Sequence, residues 1–278
     1  GMELELTHRN KIGEVGYNLK GIATVTRQKY LTASEKGPWA NSYDRWRNDN
    51  LTNRYQGVQF GYTSAGRYTS WNDIWNYYGF KERDVLPGDY KYEDWNGDGE
   101  INGQDEHPFA FDQTPWLQFS LNAGLQWKNF DFNMLLQGSA LGSMEYKEPL
   151  HEIWGKNGGG ALTQFLDRWH PVDPKADPYD PSTVWTSGHY AYTGRWAKNN
   201  SAFNRVSTAY LRLKSIELGY TFPKLKQIPN ASLRVYANAY NLLTFTGVKF
   251  VDPEHPDDDL GRMYPLNKTY TLGVSLSF

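Results

Sequence analysis

The last nine residues alternate strictly between large apolar side chains and small or polar ones. The large apolar set is Tyr270, Leu272, Val274, Leu276 and Phe278, and the residues between them are Thr271, Gly273, Ser275 and Ser277. Successive side chains of a strand point to opposite faces, so the segment predicts a strand with one apolar and one polar face. A chain that stops on a large aromatic is typical of the last strand of an outer-membrane β-barrel and unusual in a soluble sandwich, whose termini fray in polar residues. The fold class therefore depends on whether the apolar face meets a protein core or lipid.

Composition excludes several classes of protein. The chain has 278 residues, 29 basic and 31 acidic, with a formal net charge of -2. This balance gives no electrostatic footprint for nucleic acid. No cysteine is present, which excludes a disulfide framework, a thiolate zinc site and a cysteine nucleophile.

Hydropathy separates membrane helices from membrane strands. No long apolar run occurs and the mean hydropathy is -0.72, which excludes a transmembrane helix. A membrane barrel stays compatible, because its alternating strands average to a hydrophilic score. Aromatic residues make up 16% of the chain, as expected where rings lie at membrane interfaces or stack on sugars.

The same alternation recurs upstream. Residues 117–127 and 130–137 each alternate, and Lys128-Asn129 between them predicts a tight hairpin turn. Residues 15–25 alternate as well, after a turn expected at Lys11-Ile12-Gly13 that follows a strand from Met2 to His8.

Two later segments alternate less regularly. They cover residues 207–222 and 232–245 and are joined by a short turn around Pro223 to Pro229. Within the first, Leu211 and Leu213 are out of step with Ile216, Leu218 and Tyr220. This phase change predicts either a β-bulge or a strand that leaves the membrane part-way.

Connections between the predicted strands fall into two length classes. Short ones are expected at Lys11, Lys128 and Pro223, and long ones over 31–56, 61–115, 141–206 and 244–267. Short periplasmic turns that alternate with long extracellular loops are typical of outer-membrane barrels. We expect an all-β fold, an antiparallel up-and-down transmembrane β-barrel segment of about eight strands of a larger barrel. A soluble β-sandwich that binds carbohydrate through loop aromatics is the alternative.

One segment carries a metal-binding pattern. In DWNGDGEINGQD, Asp94, Asn96 and Asp98 occupy positions 1, 3 and 5 of a calcium loop, Glu100 supplies a backbone carbonyl at position 7, and Asp105 closes at position 12. Gly99 permits the bend that brings the oxygens together. We expect a structural Ca²⁺ in an insertion spanning residues 88–108. The alternative is an Asx-rich turn without metal.

Catalytic patterns are weak, so no enzyme is predicted. The six histidines show no metal-ligand spacing, and no phosphate-binding or nucleophile motif occurs. The acidic loop residues leave a glycosidase carboxylate pair open, but no pair stands out as partly buried.

Aromatic residues cluster in the predicted loops, where they either stack on glycans or peptides, dock a partner protein, or pack as a small core. The set is Trp39, Tyr43, Trp46, Trp71, Trp75, Tyr77, Tyr78, Phe80, Trp154, Trp169, Trp185, Tyr190, Tyr192 and Trp196.

Several blocks of the chain together resemble the C-terminal part of SusC/RagA-like TonB-dependent outer-membrane transporters. The blocks are GYTSAGRY, GDYKYEDWNGDGEINGQDE, WKNFDFNMLLQG, TAYLRLKSIELGYTFP, LRVYANAYNLLTFTG with VDPE, and TYTLGVSLSF. They occur in the order of the family, and the resemblance covers nearly the whole chain from Met2 to Phe278.

The resemblance implies a barrel of about 22 strands with a plugged lumen, of which these residues would supply the C-terminal part without the plug domain. It implies import of glycans or peptides, powered through the TonB complex, in the outer membrane of a Gram-negative bacterium. A SusD-like surface lipoprotein would be the partner. The apolar face of Tyr270, Leu272, Val274, Leu276 and Phe278 would contact outer-membrane lipid, and the terminal Phe278 would act as the barrel-insertion signal.

Overall fold

The computed structural model describes residues 1–33, 38–46, 52–77, 85–147, 150–151, 162–194, 197–198, 200–223, 231–254 and 263–278. Within these residues the fold is almost entirely β. The strands are β1 Met2–Ile12, β2 Val15–Val25, β3 Gln59–Gly61, β4 Ser64–Arg67, β5 Tyr90–Tyr92, β6 His107–Ala110, β7 Leu117–Trp127, β8 Phe130–Ala140, β9 Ser143–Glu145, β10 His170–Pro171, β11 Trp185–Thr186, β12 Arg205–Ser207, β13 Tyr210–Phe222, β14 Ser232–Thr246 and β15 Thr269–Ser277. The helices are α1 Ser42–Asp44 and α2 Trp71–Asn76, with 3₁₀ turns at Gly103–Asp105 and Thr163–Leu166.

Seven long strands form one antiparallel sheet in the order β1-β2-β7-β8-β13-β14-β15. Each long strand therefore pairs with the long strands before and after it, as in an up-and-down barrel wall. The sheet has seven long strands where the sequence led us to expect about eight. The antiparallel, up-and-down architecture is confirmed.

The register places the apolar residues of all strands on one face. One row across the sheet is Leu19, Ala123, Met134, Ile216, Ala239 and Tyr270. The next row, on the opposite face, is Asn18, Gly124, Asn133, Glu217, Asn238 and Thr271. Because paired residues of neighbouring strands point the same way, the alternation in each strand becomes one apolar and one polar face for the whole sheet.

The phase change in β13 is a β-bulge, which confirms the first of the two predicted explanations. The register shifts between Leu213 and Ser215: Lys214 is an extra residue relative to β8, and on the other side it lies opposite two residues of β14, Asn241 and Leu242. The bulge brings Leu211 and Leu213 onto the same face as Ile216, because one additional residue reverses the alternation.

The hairpin at Lys128 is also confirmed, with Lys128 at φ 54°. The first turn was predicted wrongly. β1 continues through Ile12, and the turn is Gly13-Glu14, where Gly13 has φ 60°. Glycine adopts this left-handed conformation without the clash of a Cβ atom.

Long and short connections lie at opposite ends of the sheet. The long ones run over 26–116, 141–209 and 247–268, and the short ones over 13–14, 128–129 and 223–231. The residues predicted as a Pro-containing turn lie mostly outside the described residues. We predicted two separate loops, 31–56 and 61–115, and this division is wrong. The two are parts of one connection, because β3 between them pairs with β6 instead of joining the seven-stranded sheet.

The three long connections pack on each other and form what we call the loop layer. Its small core contains Tyr68, Ile74 and Val85, with Trp71 and Tyr77 packed against them. No helix in the described residues is long and apolar enough to cross a membrane.

Candidate functional site

Each of the seven long strands exposes large apolar side chains on the apolar face of the sheet. Leu272 on β15 is 85% exposed, Leu218 in the middle of the sheet 52%, and Leu4 on β1 51%. A face this large is not left in water by a soluble monomer, so it marks contact with lipid or with another protein. The predicted insertion signal lies at its edge, and Phe278 is 96% exposed.

The polar face carries an ion-pair network near the short turns. Arg234 Nη2 donates to Glu217 Oε1 at 2.6 Å, and Arg234 Nε donates to Asp131 Oδ2 at 3.1 Å. These residues come from β14, β13 and β8, so the network crosses three neighbouring strands. Gly219 leaves the space it needs, because a Cβ there would lie 2.5 Å from Arg234 Nη2.

A second network joins the sheet to the loop layer. The Arg212 side chain is 1% exposed and pairs with Asp252 and Glu254 at 2.6 Å each. Tyr210 donates its hydroxyl to Glu254 Oε1 at 2.8 Å. The third long connection is thereby held against the end of β13 that faces the loop layer. Alternation gave no signal for this contact, because the two acids lie 40 and 42 residues from Arg212 in sequence.

The predicted calcium loop is a chain of Asx turns. Asp94 Oδ2 accepts from Gly99 N at 2.8 Å, and Asp94 Oδ1 accepts from Gly97 N at 2.8 Å. Asn96 Oδ1 accepts from Asp98 N at 2.9 Å, and Asp98 Oδ1 accepts from Glu100 N at 2.8 Å. The bend at Gly99 has φ 82°, as the pattern predicted.

Asp105 closes the loop by hydrogen bonds to backbone groups near both of its ends. It is completely buried, and its carboxylate accepts from Trp95 N at 3.0 Å and from Asn102 N at 2.7 Å. Both ends of segment 88–108 are held by strand pairing, since β5 pairs with β4 and β6 pairs with β3. The described residues contain no group of three or more His, Asp or Glu side chains placed to hold a metal.

The two aspartates have opposite pKa shifts. Burial raises the pKa of Asp105, and the nearby charge of Asp94 adds to this. For Asp94, burial also acts upward, but the backbone N–H groups of Gly99, Gly97 and Asp98 outweigh it and lower the pKa. The loop therefore holds Asp94 as a carboxylate beside a second acid that is costly to ionise.

Part of the aromatic set packs against the calcium loop. Trp95 stacks on Trp46 at 5.9 Å and on His107 at 4.9 Å. These ring contacts favour the packing role for this group, while Trp95 itself remains 46% exposed. Tyr78, Phe80, Trp154 and Trp196 lie outside the described residues.

The loop layer also contains a cavity of about 690 Å³, whose lining has several basic residues and one acidic residue, Asp167. Arg67, His189 and Lys249 line it together with Tyr146 and Phe250. Burial and the charge of Arg67 lower the pKa of His189, so the imidazole is neutral near pH 7. Arg67 donates to the carbonyl oxygens of Gly88 and His189, which fixes its position.

Comparison with known proteins shows what this arrangement resembles. No family model matches the chain. It is 28% identical over 211 residues, 70% of its length, to TonB-dependent receptor P3 of Formosa agariphila. It is 27% identical over 81% of its length to TonB-dependent receptor P26 of the same organism, and 26% identical over 74% to TonB-dependent receptor SusC of Bacteroides thetaiotaomicron.

Solved structures agree with the sequence relatives on the fold. A structure of the RagAB peptide transporter covers 99% of the chain with a TM-score of 0.60 and 18% identity. The chain spans about a fifth of the length of the curated relatives, 19% to 22%, and 28% of that solved chain. It is therefore a partial-length match to a SusC/RagA-like TonB-dependent transporter, and its fold is that of a segment of the transporter barrel.

Proposed function

We propose that this chain is the C-terminal barrel segment of an importer in the outer membrane of a Gram-negative bacterium. The observation that carries the proposal is the two-faced, seven-stranded up-and-down sheet with short turns at one end and a packed loop layer at the other. Similarity to three TonB-dependent receptors supports TonB-dependent active transport by the complete protein. The chain itself has a transport role and no catalytic one.

Exposure of the apolar face favours the barrel over the soluble sandwich. A sandwich buries its apolar faces between two sheets about 10 Å apart. Here Leu218, in the middle of the sheet, is half exposed, and the short strands of the described residues pair within the loop layer. Lipid is the partner that fits a face of this extent.

Partners and substrate follow from the relatives. A SusD-like surface lipoprotein would cover the loop layer, because the solved relatives are RagAB complexes. TonB would act through parts of the protein outside this chain. Glycans or peptides are the proposed substrates, and the near-neutral charge gives no reason to expect nucleic acid.

Deletion of the complete gene tests the transport role. Membrane fractionation should find the protein in the outer membrane, and growth on the imported glycan or peptide mixture should require both this gene and tonB. A protein recovered in the soluble fraction, or uptake that persists without tonB, would overturn the proposal.

We also propose that the closing strand is the signal for barrel insertion. Removing the terminal Phe278 should lower the amount of assembled protein in the outer membrane, while removal of the Ser277 hydroxyl by Ser277→Ala should not, because Ser277 lies on the other face. Equal amounts of assembled protein for both variants would contradict this role.

A structural Ca²⁺ bound by the Asp94 loop is a further proposal. Asp94, Asn96, Asp98 and the Glu100 carbonyl would supply oxygen ligands, with Asp105 closing the loop. A cation would offset the repulsion between Asp94 and Asp105 that contributes to the raised pKa of Asp105. Calcium titration should increase the protease resistance of the loop in the wild type and not in Asp98→Ala. If the wild type and Asp98→Ala respond identically to calcium, the loop is an Asx-rich turn without metal.

A further inference from the structure

Two basic residues follow β2 at the loop-layer end of the sheet. Arg27 and Lys29 lie two and four residues beyond Val25, the last residue of β2, and both are exposed. The pairing with the neighbouring strand continues past Val25, since Thr26 N donates to Trp116 O at 2.9 Å, and no turn follows before Lys29. The period of two therefore places Arg27 and Lys29 in line with Val25, on the side of the apolar face.

The position of these two residues along the sheet matches the level of lipid headgroups. A membrane strand needs about 9 to 11 residues to cross the hydrocarbon layer, and β2, Val15–Val25, has 11. At about 3.3 Å per residue along the strand, Arg27 lies roughly 7 Å beyond the end of β2. If the apolar face meets lipid, both cations reach the headgroups of the leaflet on the loop-layer side.

Two aromatic rings hold the Arg27 guanidinium between them. Its central carbon lies 3.3 Å from the centre of the Tyr55 ring and 3.7 Å from that of the Trp116 ring. The Lys29 ammonium lies 5.7 Å from the centre of the same Tyr55 ring. Phe111 packs edge-on against Trp116 at 4.6 Å and supports the second ring. Stacking orients the guanidinium plane, while its N–H groups lie in that plane and stay free to donate.

The backbone fixes Tyr55 beside the two cations. Lys29 and Tyr55 form an antiparallel bridge, and Gln56 N donates to Gln28 O at 2.9 Å next to it. Because paired residues point to the same side, the bridge brings the Tyr55 ring to Lys29 and to the stacked Arg27. The cation pair is therefore placed by the fold of the first long connection.

Neither cation has an anionic partner among the described residues. The side chains of Arg27 and Lys29 make ring contacts there but no hydrogen bond and no ion pair. Arg212 and Arg234, in contrast, each pair with two acids. Basic side chains at a membrane surface attract anionic headgroups, and a planar guanidinium binds phosphate through two parallel N–H groups.

We propose that Arg27 and Lys29 bind a phosphate group in the headgroup of an outer-leaflet lipid. The proposal rests on the proposed function, because it assumes that the loop layer faces outward and that the apolar face meets lipid. The acyl chains of the same lipid would lie along the apolar face, where Val25 pairs with Leu117. Such a site would anchor the first long connection to the membrane surface.

Lipid binding to the complete protein in detergent, measured by native mass spectrometry, tests the site. The probes are lipid A with two phosphates, the same lipid A after enzymatic removal of both phosphates, and inorganic phosphate as a competitor. Arg27→Gln and Lys29→Gln each remove one charge, and Arg27→Lys keeps the charge without the planar donor group. Arg9→Gln is the matched control, because Arg9 lies near the short turns and pairs with Asn18 of the polar face. Heat-modifiable electrophoretic mobility checks that each variant is folded.

We expect lipid A with two phosphates to bind the wild type. Arg27→Gln should weaken this binding about tenfold and Lys29→Gln about threefold, because each loses charge-assisted hydrogen bonds and Lys29 is the less fixed of the two. Arg27→Lys should fall between Arg27→Gln and the wild type, and Arg9→Gln should stay within twofold of the wild type. Removing both phosphates should weaken binding to the wild type and abolish its advantage over Arg27→Gln.

Three results would overturn the proposal. They are equal lipid A affinities of the wild type and Arg27→Gln, an equal loss in Arg9→Gln, and binding that is unchanged when the phosphates are removed. Displacement of lipid A by an equimolar amount of inorganic phosphate would also overturn it, because the site would then select free phosphate. Outer-membrane location and TonB-dependent uptake alongside any of these results would show that only the phosphate site fails.

Discussion

Arg212 and Asp252 form a bidentate ion pair across the boundary between the sheet and the loop layer. Arg212 Nη2 donates to both carboxylate oxygens of Asp252, at 2.8 and 2.6 Å, and the Arg212 side chain is almost fully buried. Arg212 Nε also donates to Thr244 Oγ1 at 3.0 Å. One guanidinium thereby fixes β13, β14 and the third long connection relative to one another.

Loss of Arg212 should therefore be costly. Arg212→Met leaves two acids near a buried position without their cation, and we expect the free energy of unfolding to fall by about 3 kcal/mol. Urea unfolding of the protein in detergent measures the change. Adding Asp252→Asn should recover part of the loss.

The exposed pair Lys20–Glu5 provides the control for this prediction. Its side chains are 41% and 50% exposed, so Lys20→Gln should cost less than about 1 kcal/mol. Similar losses for Lys20→Gln and Arg212→Met would show that the Arg212 network does not hold the loop layer in place.

Because of the bulge at Lys214, we expect β13 to tolerate the deletion of this one residue. Removing Lys214 leaves Leu213 directly before Ser215, which removes the register shift against β8 and keeps the other side chains of β13 on their faces, while Asn241 and Leu242 stay unmatched in β14. We expect the deletion to assemble in the outer membrane, as judged by heat-modifiable electrophoretic mobility. Deleting Asn133 from the regular strand β8 should abolish assembly, because half of that strand would turn over. The bulge would be contradicted if the two deletions behaved alike.

The two faces of β15 should respond differently to charge. Leu272→Lys places an ammonium on the apolar face and should destabilise the protein by about 2 kcal/mol or more if that face meets lipid. Thr271→Lys, one residue earlier on the polar face, should have a much smaller effect. Unfolding of the protein from lipid vesicles in urea measures both, and a larger loss for Thr271→Lys would reverse the assignment of the faces.

The Asp94 loop should lose protection in acid. Because the pKa of Asp94 is lowered from its ordinary value of 3.8, its stabilising effect is present above that pH and is lost as pH falls through the folded-state pKa. The raised pKa of Asp105 acts in the opposite direction, since its cost to stability sets in as pH rises above its ordinary value of 3.8 and is complete above its folded-state pKa.

Asp94→Asn isolates the first effect. Hydrogen exchange at Gly97 and Gly99, corrected for the intrinsic rate at each pH and measured without calcium, should be faster in the variant at pH 7. The difference from the wild type should shrink as pH falls below 3.8. A difference that stays constant from pH 7 to pH 3 would mean that the Asp94 charge does not hold the loop.

Local alternation predicted most of the long strands of the sheet. The strands at 117–127 and 130–137 and the phase change in β13 follow from single-residue periodicity, because each side chain points to one of two faces. The structure extends the second of these strands to Ala140. The same reasoning failed at β3, Gln59–Gly61, which has strand-like residues but pairs inside the loop layer. Periodicity predicts that a strand forms, but it does not predict which other strand will pair with it.

The loop layer depends on contacts that have no local signal. Arg212 and Asp252 are brought together by the packing of a long connection whose path the sequence does not specify. The calcium loop is the exception, since its Asx turns lie within twelve consecutive residues from Asp94 to Asp105. The turns around Gly99 were therefore predictable, whereas the complete burial of Asp105 was not.

Lipid contact by the apolar face of β15 is tested most directly by single-cysteine labelling, because these 278 residues contain no native cysteine. Spin labels would be attached through Leu272→Cys, Val274→Cys, Thr271→Cys and Ser275→Cys in the complete protein in lipid vesicles, and their collision rates with oxygen and with a water-soluble nickel chelate compared. We predict that the first two labels collide mainly with oxygen, as lipid-facing labels do, and that the other two collide more with the nickel chelate. Equal access of the nickel chelate to all four labels would contradict a membrane-facing strand.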